Sequence, residues 1–168
     1  MKMMERISGT ESVVKKRELN KLTYYLTIFL GFVTFVFGFI SIVVYLGILY
    51  LSPVISNLTG IVFLTSRYFL LTLIMLTFAG FFTASYPVSK AIDGNSSFHV
   101  IMAFGCSGVA LGTQVFKLAI SGPTWIGLDL LGSSGNTMEM MYLTAVYFVY
   151  SLILFVVEFT LLKGEFSE

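Results

Sequence analysis

Hydrophobic positions in this chain come in runs too long for a half-buried strand and too unbroken for the single apolar stripe of a soluble helix. Tyr24 to Leu51 is 28 residues without a charge. As a helix it would be about 42 Å long, against a hydrocarbon core of about 30 Å. The same reading gives spans over Arg67–Ser85, Phe98–Ile120 and Met138–Leu162. Polar or helix-breaking stretches separate them. Ser52-Pro53 is expected to end the first span, because proline lacks an N–H and restricts the residue before it. Val54 to Ser66, interrupted by Ser56, Asn57, Thr59 and Gly60, reads as an interfacial segment or the start of a long second helix. Tyr86-Pro87 marks the exit of the second span. The connection from Lys90 to Ser97 carries Asp93-Gly94 as turn chemistry. The last connection, Ser121 to Thr137, holds four glycines, the only tryptophan (Trp125) and Asp129.

This pattern predicts an all-α integral membrane protein with four transmembrane helices in an antiparallel bundle. Residues 1–23 form a basic N-terminal segment, 24–162 the membrane domain, and 163–168 a short tail. The first 23 residues hold Lys2, Arg6, Lys15, Lys16, Arg17 and Lys21, six of the ten basic residues in the chain. Ser8-Gly9-Thr10-Glu11 has the spacing of a capping box, so this segment reads as a charged helical lead-in. With the N-terminus inside, Lys90 and Lys163 fall on the same side as these six, and only Arg67 and Lys117 fall opposite. That asymmetry predicts both termini on the cytoplasmic side of a cytoplasmic or inner-type membrane. A cleaved leader is not expected, since the first run is too long and the first alanine in the chain is Ala79.

Composition agrees: 57% of residues are hydrophobic and 11% charged, with a mean hydropathy of +0.90. Soluble domains carry about 25% charged residues. A net charge of +1 offers no global field for nucleic acid. The single cysteine, Cys106, cannot close an internal disulfide, and the single histidine, His99, cannot supply a two-histidine metal site. The sequence contains no phosphate-binding glycine loop, H-E-x-x-H, C-x-x-C or G-x-S-x-G. No metal and no cofactor of its own is therefore expected.

Helices in lipid find one another through small and weakly polar residues. The first span has Gly31, Thr34, Gly38, Ser41 and Tyr45 at steps of 3 and 4; the second has Thr72, Met75, Ala79 and Thr83, with Gly80 beside them. The third has Gly105, Gly108 and Gly112, and the fourth Thr144, Tyr147, Ser151, Leu154 and Glu158. Each span thus has one adhesive face. Glu158 is the ionisable residue that falls inside such a face. An acid in a span is either functional, as a proton-accepting carboxylate or an acceptor for a bound head group, or is paired near the helix end with Lys90 or Lys163. His99, Lys90, Asp93 and Glu158 lie toward one side of the membrane, so they are candidates for a polar or ligand-bordering cluster.

Adhesive faces, abundant aromatics and no complete catalytic set point first to a non-catalytic membrane subunit. It would pack with other membrane protein subunits and lipids, as in an accessory subunit of an electron-transfer or respiratory-type assembly, with a lipid or quinone at a subunit boundary. The alternative is a small transporter or channel in which Glu158 is the intramembrane ionisable group.

Overall fold

Runs of leucine, isoleucine, valine and phenylalanine with no charge satisfy their backbone only by coiling into helices, since hydrocarbon offers no other hydrogen-bond partner. The computed structural model describes residues 2–59, 67–92, 94–121 and 137–166, with side chains at 21–54, 56–58, 67–92, 94–120 and 145–166. All regular structure among them is helical: α1 (Lys2–Thr59), α2 (Arg67–Ala91), α3 (Ser96–Ser121) and α4 (Thr137–Phe166). Each contains a stretch long and apolar enough to cross a membrane: Lys21–Val54, Arg67–Ala91, Ser96–Ile120 and Ala145–Phe166.

The helices are longer than the hydrophobic runs. The N-terminal segment and the first span form one continuous helix. Neither proline stops its helix: α1 continues through Pro53 to Thr59, and α2 continues through Pro87 to Ala91. A proline removes one hydrogen bond from the ladder, a loss that the rest of a long helix can outweigh. Beyond Pro53, Ser56 Oγ donates to the Pro53 carbonyl at 3.1 Å. The α2–α3 turn is closed by Gly94 N donating to Ser89 O at 2.8 Å. Asn95 then caps α3, its Oδ1 accepting from Phe98 N at 3.2 Å.

Contacts run α1 to α2, α2 to α3 and α3 to α4. The most apolar window of α2 is 44% buried and that of α1 only 17%, so α2 is the interior helix and α1 turns most of its surface outward. The buried positions of α1 are Thr27, Gly31, Thr34, Gly38 and Tyr45, with Ser41 half-buried, which is one face at steps of 3 and 4. Glycine is needed at the crossing: a Cβ on Gly31 would lie 2.8 Å from the Gly80 carbonyl oxygen, and one on Gly80 would lie 2.8 Å from that of Gly31. Two turns along, a Cβ on Gly38 would lie 3.1 Å from Thr77 Cα. Further on, Tyr45, Phe69 and Leu73 form one apolar cluster, which Tyr147 of α4 joins.

On α3 the buried face is Val100, Ala103, Ser107, Ala110 and Gln114, not the glycines. Gly105 and Gly112 are exposed and have no atom within 4 Å of where a Cβ would sit; Gly108 lies 3.4 Å by the same measure from the Phe155 ring. Alanine and serine are small enough for this crossing, so the glycine spacing on α3 marks the neighbouring face. On α4 the buried residues are Ser151, Leu154 and Glu158.

Candidate functional site

The interior of the four helices is layered. In one layer Gln114 of α3 is fully buried, its Nε2 donating to Ser151 Oγ at 2.6 Å, and Ser151 in turn donates to Tyr147 O at 2.8 Å. Gln114 Oε1 has no hydrogen-bond partner. The next layer is apolar: Leu76 and Ala79 of α2, Ala110 of α3 and Leu154 of α4. Below it comes Glu158, 0% exposed. Thr83 Oγ1 of α2 donates to Glu158 Oε1 at 2.7 Å, while Oε2 has no partner. Ser107 of α3 faces the carboxyl, but its hydroxyl hydrogen goes to Phe104 O at 3.1 Å. Cys106, half-buried, and Tyr150 lie near enough to interact electrostatically with Glu158. Tyr150 OH meets Thr34 Oγ1 of α1; the Thr34 hydroxyl already donates to Leu30 O at 2.7 Å, so the phenol is the donor.

The layer nearest the C-terminus is a second carboxylate cluster. Glu165 Oε2 accepts from Tyr86 OH at 2.9 Å and from Lys90 Nζ at 3.1 Å. Its Oε1 accepts from Ser96 Oγ and, at 3.2 Å, from Ser97 Oγ. The carboxylate sits at the first turn of α3, where unsatisfied backbone N–H groups and the helix dipole favour negative charge. This cluster ties the end of α4 to the α2–α3 turn.

Of the polar candidates from the sequence, Lys90, His99 and Glu158 each bond to a different partner. Lys90 pairs with Glu165, and Lys163 is exposed. Among the described residues no cation pairs with Glu158. His99 donates through Nδ1 to Asn95 O at 2.9 Å and packs against the rings of Phe82 and Phe98. Asp93 lies outside the described residues, as do Trp125 and Asp129. Lys117 extends over the Tyr68 ring, 5.1 Å from its centroid. Among the described residues no three of His, Cys, Asp and Glu come together as a metal site would require.

Three residues of this interior give no signal in the sequence. Gln114 is one polar residue in an apolar span, Tyr150 one of nine tyrosines, and Glu165 falls in the expected tail. Only the pairing of helices brings them to an interior.

A lateral cleft opens between α1 and α4. Its volume is about 220 Å³ and its lining is Val33, Phe37, Val146, Tyr147 and Tyr150. Compared with known proteins, the chain matches no family model, no curated protein and no solved structure.

Proposed function

We propose that the four helices cross the membrane as an antiparallel bundle with both termini cytoplasmic, and that the protein is a small proton-handling transporter or channel centred on Glu158. The observation that carries this is a carboxyl group buried at 0% exposure, with one oxygen unpartnered and no described cation beside it. An uncompensated charge in that position is costly, so the group needs a counter-charge. A proton supplies one without a cavity. Thr83 gives Oε1 a donor, which a neutral carboxyl accepts through its carbonyl oxygen, and Oε2 is left free to carry the proton.

Purified protein in vesicles, driven by a potassium diffusion potential and read by an internal pH dye, tests the assignment. The wild type is expected to pass protons, and Glu158→Gln to abolish the flux while remaining monodisperse. No flux in the wild type, or equal flux in the variant, overturns it. Orientation is tested by placing single cysteines in a Cys106→Ser background. Lys163→Cys should react with impermeant maleimide only from the cytoplasmic side, and Asn57→Cys only from the other. Reaction of both from one side overturns the topology.

A second reading has its own support. The α1–α4 cleft has an apolar lining. That favours an accessory subunit of an electron-transfer or respiratory-type assembly, with a lipid or quinone at the subunit boundary. Gentle detergent extraction, native-gel sizing and mass spectrometry of the band decide it: stoichiometric migration with larger membrane proteins supports the subunit, and migration alone rejects it.

A further inference from the structure

Three fully buried polar side chains from three helices converge in the interior: Thr83 of α2, Ser107 of α3 and Glu158 of α4. The two hydroxyl hydrogens are already placed. Thr83 gives its hydrogen to Glu158 Oε1 at 2.7 Å, and Ser107 gives its to Phe104 O at 3.1 Å. Both hydroxyl oxygens therefore keep only lone pairs for anything else in the site. Glu158 Oε2 has no hydrogen-bond partner, so it and Ser107 Oγ face each other as two acceptors. Oxygens that ligate one small cation stand further apart than a hydrogen-bonded pair, and this arrangement has that character.

Hard cations are held by carboxylate, hydroxyl and carbonyl oxygens. A softer metal would need thiolate or imidazole ligands, and among the described residues no three of His, Cys, Asp and Glu gather. A divalent ion would leave a net charge. Glu158 is the carboxylate of this site, and Glu165 is already bound to Tyr86, Lys90, Ser96 and Ser97. One carboxylate balances one positive charge, and an unbalanced charge in this interior is costly.

We propose that Glu158, Ser107 and Thr83 form a site for a sodium ion, which competes with the proton for the same carboxyl group. The inference rests on the reading of Glu158 as a proton site and names a second ion for it. In the exchange the carboxyl O–H bond breaks, its proton goes to water, and Oε2 takes the cation as a neutral ion pair. Nothing is oxidised or reduced, and the site is neutral in both states. The other titratable groups facing it are Cys106 of α3 and Tyr150 of α4. Thr83 of α2 and Ser107 of α3 face it as hydroxyls.

The test is infrared spectroscopy of the full chain in lipid nanodiscs at one fixed pH. In sodium-free choline buffer, the carbonyl stretch of protonated Glu158 is identified by its loss in Glu158→Gln. Replacing choline with sodium at constant ionic strength is expected to reduce that band by half or more. Carboxylate stretches that Glu158→Gln lacks should grow in its place. Ser107→Ala removes one cation ligand but no hydrogen bond to the carboxyl, so it should keep the band and raise the sodium concentration needed by tenfold or more. Ser107→Cys, which keeps the size but offers sulfur, a poor ligand for a hard cation, should do the same. Circular dichroism melts report whether each variant folds. A Glu158 band that sodium leaves unchanged overturns the cation site while leaving the proton site standing. The same sodium dependence in both Ser107 variants and wild type overturns the assigned ligands. The absence of the band in sodium-free buffer overturns the proton site, and the exchange with it.

Discussion

Thr83 Oγ1 donates to Glu158 Oε1 across the α2–α4 boundary at 2.7 Å, and both residues are fully buried. Among the described residues this is the one hydrogen bond to the carboxyl, Oε2 having no partner there. Removing the donor should therefore expose the full cost of a buried acceptor. Thr83→Val, a near-isosteric change, is expected to destabilise the protein by about 1–3 kcal/mol, whereas Thr83→Ser should stay close to wild type. Unfolding titrations in mixed detergent measure both.

Because the two groups contact each other, their substitutions should not add. A double-mutant cycle of Thr83→Val with Glu158→Leu, which removes the acceptor, is expected to give a coupling energy of about 0.6 kcal/mol and at most about 1.7 kcal/mol, the mean and upper value for hydrogen bonds between membrane helices. A coupling near zero would mean that the carboxyl does not depend on Thr83.

The ion pair of Lys90 with Glu165 should matter less than its appearance implies. Lys90 is 43% exposed at the side chain, so its charge is largely solvated, and Lys90→Gln is expected to cost less than about 1 kcal/mol. Glu165→Leu is different. It leaves Tyr86, Ser96 and Ser97 without their common acceptor, and a loss of about 2–4 kcal/mol is expected, at about 1 kcal/mol per net hydrogen bond. Equal effects of the two substitutions would show that the cluster is held by charge rather than by hydrogen bonding.

Much of this arrangement is written in the chain in helical spacing. Gly31, Thr34, Gly38, Ser41 and Tyr45 recur at steps of 3 and 4 and lie along the inward face of α1, Ser41 half-buried and the others buried; Ser151, Leu154 and Glu158 do the same on α4. These seams are legible because small or polar residues stand out against an aromatic and aliphatic background. On α3 the same logic selects Gly105, Gly108 and Gly112; Gly105 and Gly112 are exposed and Gly108 is half-buried against Phe155, while Ala103, Ser107 and Ala110 are buried. Two small-residue faces on one helix cannot be ranked by periodicity, since only the shape of the partner helix decides. Helix ends are the other gap. Pro53 and Pro87 look like stops, yet each lies inside a helix, and hydropathy alone does not show that α4 extends to Glu165. The Glu165 cluster depends on that extension and is not legible for that reason.

The contrast between the two glycine faces gives a last test. At Gly31 a side chain must intrude on the α2 backbone, including the Gly80 carbonyl oxygen, which would lie 2.8 Å from the new Cβ. Backbone cannot rotate aside as a flexible side chain can, so the helices must separate. That would weaken the Tyr150–Thr34 contact, three residues further along α1, which joins it to α4. Gly31→Ala is therefore expected to cost about 1–3 kcal/mol, the usual penalty of overpacking. At Gly105 and Gly112 the added methyl meets nothing within 4 Å, and alanine is the better helix former by about 1 kcal/mol. Gly105→Ala and Gly112→Ala should thus be neutral or stabilising in the isolated chain. Unfolding titrations of the three single variants decide it. A loss at Gly105 or Gly112 as large as that at Gly31 would mean that the exposed glycine face is itself a contact surface.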